Sequence, residues 1–249
     1  MTHGSNHPSP PNRVAVVTGG SGGIGSAVCA RLDQEGYSVV NLARSERGPV
    51  VGTRVVCDIS RSDEVDAAFD QIRHMYGKVD CLVTTAAVLG NAAVHTTTDE
   101  LWDHVIGVNL TGVFNAVRAA IPLMPAEFGG SIVTLSSVHA EATIPQTAAY
   151  AASKGAILSF TRAVAVEYAD SGIRANSLII GAVRTDMAAA HGRYIQRSGV
   201  PVAEVPGRIG RLADPDEIAD IVAFLCSSRS SFVTGAALRA DGGLLSRLL

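Results

Sequence analysis

The sequence predicts a single doubly wound α/β domain, a mostly parallel seven-stranded sheet with helices on both faces. Three observations predict it. Short β-branched runs alternate with longer segments of helical period along nearly the whole chain. A glycine-rich loop joins the first run to the first helix, and no internal repeat or linker interrupts the alternation. Parallel neighbours need a crossover connection, and helices of this length supply it.

Each element follows from its residues. Residues 13–18 (RVAVVT) read as a buried strand, and 25–35 (GSAVCARLDQE) place apolar residues at helical spacing. Strands follow at 38–43 and 53–57, then a helix over 61–76 capped by Ser60 or Ser62, then a strand at 80–85. Residues 99–124 carry one or two helices, 131–136 (SIVTLS) a strand, 148–170 a long helix and 173–180 a strand. Residues 215–227 read as a helix with Asp214 as cap and Pro215 at its first position, and 236–240 as a last short strand. The least patterned segment, 186–211, mixes His, Gly, Pro and Arg beside the carboxyl edge of the sheet and is expected to be a substrate lid.

Composition narrows the function. A chain of 249 residues is normal for one such domain, here 13–249. The net charge of −3 with scattered Lys and Arg gives no footprint for nucleic acid or an anionic membrane. The first twelve residues, MTHGSNHPSPPN, read as a disordered arm. No later apolar stretch is expected to reach the roughly 18 residues that span a bilayer. Cys29, Cys57, Cys81 and Cys226 are far apart and sit in apolar segments, as reduced buried thiols do. A soluble, cytoplasmic protein with no metal site is expected.

The chemistry concentrates in three places. Residues 18–25 (TGGSGGIG) follow the first strand and open the first helix, where glycines let a pyrophosphate approach the backbone and the helix amino end favours its charge. At the end of the second strand Leu42-Ala43-Arg44-Ser45 offers no carboxylate for a ribose 2′-hydroxyl; Arg44 either pairs with a 2′-phosphate, favouring NADP over NAD, or faces solvent. Asp58 suits either an adenine edge or a cap before the next helix.

The third place is SSVHAEATIPQTAAYAASKGA, residues 136–156. Tyr150 and Lys154 are four apart and share one helix face, so the ammonium is expected to lower the tyrosine pKa toward working pH. Ser137 falls at the carboxyl end of its strand, where this sheet type binds ligands, and can hold the substrate oxygen that Tyr150 protonates or deprotonates.

TGGSGGIG, Asn109 in VNLTGVF, Ser137 thirteen residues before Tyr150, Tyr150-x-x-x-Lys154 and the terminal Ala240–Gly243 (ADGG) together resemble the short-chain dehydrogenase/reductase family, over about residues 13–243. The resemblance implies a Rossmann fold and hydride transfer between a secondary alcohol or ketone and a nicotinamide cofactor. It implies Tyr150 as general acid/base, Lys154 as the residue lowering its pKa and holding the nicotinamide ribose, Ser137 as substrate-orienting, and Asn109 as the anchor of a water in a proton relay. Gly19, Ser21, Gly23, Ile24 and Gly25 would line the pyrophosphate. Thr185 would meet the carboxamide and Val183 the same group through its backbone; with Arg44 and Asp58, Ile59 and Ala86 complete the expected cofactor-binding positions. A homotetramer built through the helices near 110–124 and 148–170 and through the C-terminal strand is also implied.

Two departures stand out. The family's usual Asn-Asn-Ala-Gly is Thr84-Thr85-Ala86-Ala87 here, placing a methyl where backbone runs close to the cofactor, and its Pro-Gly is Ile180-Gly181. For the substrate, His139 and Glu141 read either as a local pair on a solvated loop or as partners of a hydroxylated or carboxylated substrate, with Gln146 beside them. Trp102 is expected in core or interface. The leading reading is a small polar substrate, sugar- or polyol-like. A 3-oxoacyl-thioester reductase would add a basic patch from Arg184, Arg193, Arg197, Arg208 and Arg211, and a non-catalytic nucleotide sensor is the third reading.

Overall fold

The computed structural model describes residues 13–46, 51–125, 129–198 and 211–246. Its sheet has seven strands: β1 (Arg13–Thr18), β2 (Tyr37–Ala43), β3 (Thr53–Val56), β4 (Cys81–Thr84), β5 (Ser131–Ser137), β6 (Arg174–Ile180) and β7 (Ala237–Ala240). The order is β3-β2-β1-β4-β5-β6-β7 and every pairing is parallel, so the expected sheet is parallel throughout. The order reverses between β1 and β4, and crevices at such a switch point are where open α/β sheets hold ligands.

The two-residue period of a strand explains how β1 serves both faces. Val14 and Val16 enter one apolar core with Val65, Phe69, Val113 and Ile157, under the helices α2 (Ser62–Tyr76), α4 (Gly112–Ala120) and α5 (Ala148–Glu167). Ala15 and Val17 enter the other with Val28, Leu32, Ile218 and Val222, under α1 (Gly23–Gln34) and α7 (Pro215–Cys226). Burial on both sides is why these strands read as continuous apolar runs. Truncating a fully buried residue such as Leu82 to alanine costs about 2–5 kcal/mol.

Local signals set most helix ends. α2 stops at Gly77, whose φ of 72° is left-handed. Asp214 and Glu217 form a capping box at the start of α7, with the Glu217 carboxylate accepting from the Asp214 N–H at 2.9 Å. The predicted cap of α2 is corrected: Arg61 is the N-cap residue and neither serine caps, because the Ser60 hydroxyl donates to Asp58 at 2.7 Å instead. Residues 99–124 form two helices, α3 (Asp99–Ile106) and α4, joined by one π-helical turn, Gly107–Thr111.

The run Asp99–Leu123 is long and apolar enough by length and composition to cross a bilayer, contrary to the sequence expectation, but half of its apolar window is buried against the rest of the protein. Residues 186–198, expected as an unpatterned lid, begin as a regular helix, α6 (Asp186–Ser198). The rest of that segment up to 210, Arg208 and the N-terminal arm lie outside the described residues. Trp102, on α3, is half-exposed and lies away from the cleft described below.

Candidate active site

A cleft of about 470 Å³ opens at the carboxyl ends of β1, β2, β4, β5 and β6. Its floor is the glycine loop. Gly19 has a φ of 70°, and a Cβ there would lie 2.7 Å from the Ala86 Cα; a Cβ at Gly25 would lie 2.2 Å from the Gly19 carbonyl oxygen. Only glycine lets the loop close so tightly on β4 and on the start of α1. A Cβ at Gly23 would lie 2.8 Å from Cγ2 of Thr185, which places Thr185 against the loop from the β6 side. The first turn of α1 carries no acidic residue, so its unpaired N–H groups and positive dipole end favour an anion. Ser21 and Ile24 line the same floor.

The departures from the family pattern are accommodated. Thr85 donates its hydroxyl to the Thr18 carbonyl at 2.6 Å and so ties β4 to β1 at the switch point. Ala87 lines the cleft, and its φ is not positive, so its methyl adds no backbone strain. Gly181 keeps its place because a Cβ would lie 2.8 Å from the Asp241 Cα.

At the far end, Leu42, Ala43, Arg44, Ser45, Asp58 and Ile59 line the cleft. Of its two predicted roles Asp58 keeps the position for the first: it borders the cleft, but it does not cap α2, whose N-cap is Arg61, and its carboxylate accepts from the Ser60 N–H and hydroxyl instead. Burial works to raise its pKa, but the Ser60 hydrogen bonds and the Arg44 charge outweigh it and hold the group below the usual carboxylate value. The glycine cradle, the acid-free helix end and Arg44 fit a dinucleotide. When bound, its nicotinamide donates or accepts the hydride.

At the other end α5 carries Tyr150 and Lys154 on the face turned to β5. The Ser136 hydroxyl donates to the Lys154 carbonyl at 2.8 Å, pinning helix to strand, and the Lys154 ammonium donates to the Leu135 carbonyl at 2.8 Å. The Ser137 hydroxyl lies close enough to the Tyr150 phenol to act on its pKa. Ser137 Oγ also accepts from the His139 N–H at 3.3 Å.

The expected pKa logic is corrected here. Burial pushes the Tyr150 phenol above its ordinary value, and the Ser137 hydroxyl only partly offsets this. Burial also lowers Lys154 to about 8. Desolvation penalises both charged forms, so proximity of the lysine does not by itself deliver a phenolate. A phenol raised in this way stands protonated at neutral pH.

Asn109 lies on the π-helical turn, fully buried. Its amide donates to the Val88 carbonyl at 2.9 Å and to Ser153 Oγ at 3.1 Å, and its oxygen accepts from the Val88 N–H at 2.8 Å. The side chain is thus a clamp between the loop after β4 and α5, beside Lys154. Val183 is buried and paired with Ala213; its carbonyl accepts the Thr185 hydroxyl at 3.4 Å, and Thr185 rather than Val183 lines the cleft.

The substrate side brings together two loops and α6. His139 shares Nδ1 with the Thr143 hydroxyl at 2.8 Å and meets the Tyr150 ring edge-on at 5.6 Å. Glu141 does not pair with His139; it pairs with Arg239 of β7 at 2.6 Å. Gln146 has a φ of 66°, a left-handed conformation costing a non-glycine residue on the order of 1 kcal/mol. Its side-chain oxygen accepts from the Tyr194 hydroxyl of α6. Two residues that sequence reasoning passed over, His191 and Tyr194, therefore touch two of the candidate substrate residues, His139 and Gln146, from positions three apart on one face of α6. Their helical spacing was the available signal.

Comparison with known proteins places the chain in a family. The family model described as "Enoyl-(Acyl carrier protein) reductase" matches residues 19–245. The 3-oxoacyl-[acyl-carrier-protein] reductase MabA of Mycobacterium tuberculosis is 34% identical over 237 residues, covering 94% of each chain. Aldohexose dehydrogenase of Thermoplasma acidophilum superposes with a TM-score of 0.86 at 31% identity, covering 95% of each chain. An actinorhodin polyketide ketoreductase variant solved with NADPH superposes with a TM-score of 0.86 at 34% identity, covering 94% of this chain and 97% of that one. The chain belongs to the short-chain dehydrogenase/reductase family and is an NAD(P)-dependent oxidoreductase acting on a hydroxy or keto group.

Proposed function

We propose that this enzyme interconverts a secondary alcohol and a ketone on a small hydroxylated substrate, with NADP(H) preferred over NAD(H). The observation that carries the substrate reading is the polar wall that meets Tyr150 through His139: Ser137, His139, Gln146 and Tyr194 offer hydroxyl, imidazole and amide groups and no carboxylate or guanidinium, with burial holding His139 below its ordinary pKa. Such a wall suits hydroxyl groups better than carboxylates or phosphates. Arg44 at the cleft end supports the nucleotide preference, since a guanidinium pairs with a 2′-phosphate.

A 3-oxoacyl-thioester reductase is the second reading, supported by the likeness to MabA. Its basic entrance is reduced, because Arg184 faces Asp214 at 3.5 Å and Arg211 pairs with Glu217 at 2.7 Å. Arg193 and Arg197 remain exposed on α6. A non-catalytic sensor has no support from the intact Ser137, Tyr150 and Lys154 set. Assembly as a homotetramer is part of the proposal, supported by half-exposed Phe114 stacked edge-on against Phe160 across α4 and α5, and is read by light scattering. A cytoplasmic location rests on four buried free cysteines.

The test follows nicotinamide absorbance with NADPH and NADH against hydroxyketones, aldoses and acetoacetyl-coenzyme A. Turnover of a hydroxylated compound at the higher kcat/KM is expected. A preference of about tenfold or more for the thioester, a difference of 1.4 kcal/mol in the barrier, would overturn the substrate reading.

A further inference from the structure

His191 stands on α6 with both ring nitrogens shut off from solvent and without a hydrogen-bond partner. Its ring meets that of His139 edge-on at 6.2 Å, and His139 in turn lies edge-on to Tyr150. A neutral imidazole carries one donor and one acceptor. Leaving both unmade in the interior is costly, and native structures tolerate it where a partner arrives.

Among the described residues the neighbours do not supply that partner. His139 spends Nδ1 on Thr143, and the Gln146 oxygen takes the Tyr194 hydroxyl. The same Tyr194 contact fastens α6 to the strained residue before the catalytic helix, so the helix holds His191 against His139, one ring away from Tyr150, while its own ring stays unpaired. Asp186 and Met187, at the start of α6, border the cleft itself.

We propose that His191 is a specificity residue that hydrogen-bonds a hydroxyl of the substrate remote from the reacting carbon, so that this enzyme selects hydroxyketones over plain ketones. The inference rests on the alcohol/ketone reading above. A hydroxyl fits because it both donates and accepts, matching either imidazole tautomer. A carboxylate or phosphate fits the pair less well, since burial favours the neutral form of both histidines.

The test measures kcat/KM for 2-hydroxycyclohexanone, 4-hydroxycyclohexanone and cyclohexanone with NADPH in wild type, His191→Phe and His191→Asn. The wild type is expected to favour at least one hydroxyketone over cyclohexanone by about tenfold, the value of one buried hydrogen bond. His191→Phe, which keeps a ring and removes both nitrogens, abolishes that ratio, and His191→Asn restores part of it. A ratio near one in the wild type, or a ratio unmoved in both variants, overturns the proposal. A wild type that consumes none of the three with either nucleotide overturns the underlying reading instead.

Discussion

The Lys154 ammonium sits 5.6 Å from the centre of the Tyr150 ring and is tied to the Leu135 carbonyl at 2.8 Å. Both side chains are buried, so the lysine keeps its charge only weakly: burial brings it from 10.5 to about 8. The enzyme thus carries a buried ammonium beside Tyr150 that costs stability.

This cost has a definite sign with pH. The folded-state value lies below the unfolded one, so between about pH 8 and 10.5 the unfolded chain binds more protons at this site and stability rises with pH. Urea unfolding of wild type and Lys154→Met should therefore diverge through that window, the wild type gaining about 3 kcal/mol relative to the variant. A difference that stays flat with pH contradicts the buried-ammonium account.

Asn109→Ala strands the Val88 N–H and carbonyl that the amide satisfies. Unmade buried hydrogen bonds of this kind cost about 1–3 kcal/mol each. A loss near 3 kcal/mol is expected, which in a domain of this size lowers Tm by about 6–12 °C. A fall of less than about 2 °C, the least that 1 kcal/mol gives, would remove the clamp from the account.

Glycine positions should differ by what a methyl meets. Gly25→Ala forces a Cβ against the Gly19 carbonyl at 2.2 Å, whereas at Gly22 the same oxygen lies 3.3 Å away. Nucleotide affinity, read by fluorescence titration, should drop far more for Gly25→Ala than for Gly22→Ala. Equal effects would show that the loop is not close-packed.

Arg44→Ala should weaken NADPH binding by about tenfold or more, the value of a charge-assisted phosphate contact, and leave NADH within about twofold. Tighter NADH than NADPH binding by the wild type sinks the Arg44 argument.

Much of this was legible because it is local. Strand β1 announces itself through Val14, Val16 and Val17, and the Tyr150–Lys154 spacing places both groups on one face of α5. What was not legible depends on distant partners or on burial. Glu141 finds Arg239, 98 residues away, rather than the adjacent histidine. The cap of α2 shifted because Asp58 takes the Ser60 hydroxyl. The positive φ of Gln146 has no glycine to signal it. Spacing gives the closeness of Lys154 to Tyr150, but only the fold gives the burial that raises the phenol instead of lowering it. α6 was missed because Gly192 and charged residues dilute its apolar pattern.

The central claim is that Tyr150 moves the proton that accompanies hydride transfer. Tyr150→Phe keeps the ring and its packing and removes only the hydroxyl. With a ketone that the wild type reduces, kcat for Tyr150→Phe should fall by on the order of a thousandfold, within the range for a positioned general acid, while NADPH still binds. A variant that turns over within a few-fold of wild type would contradict the account.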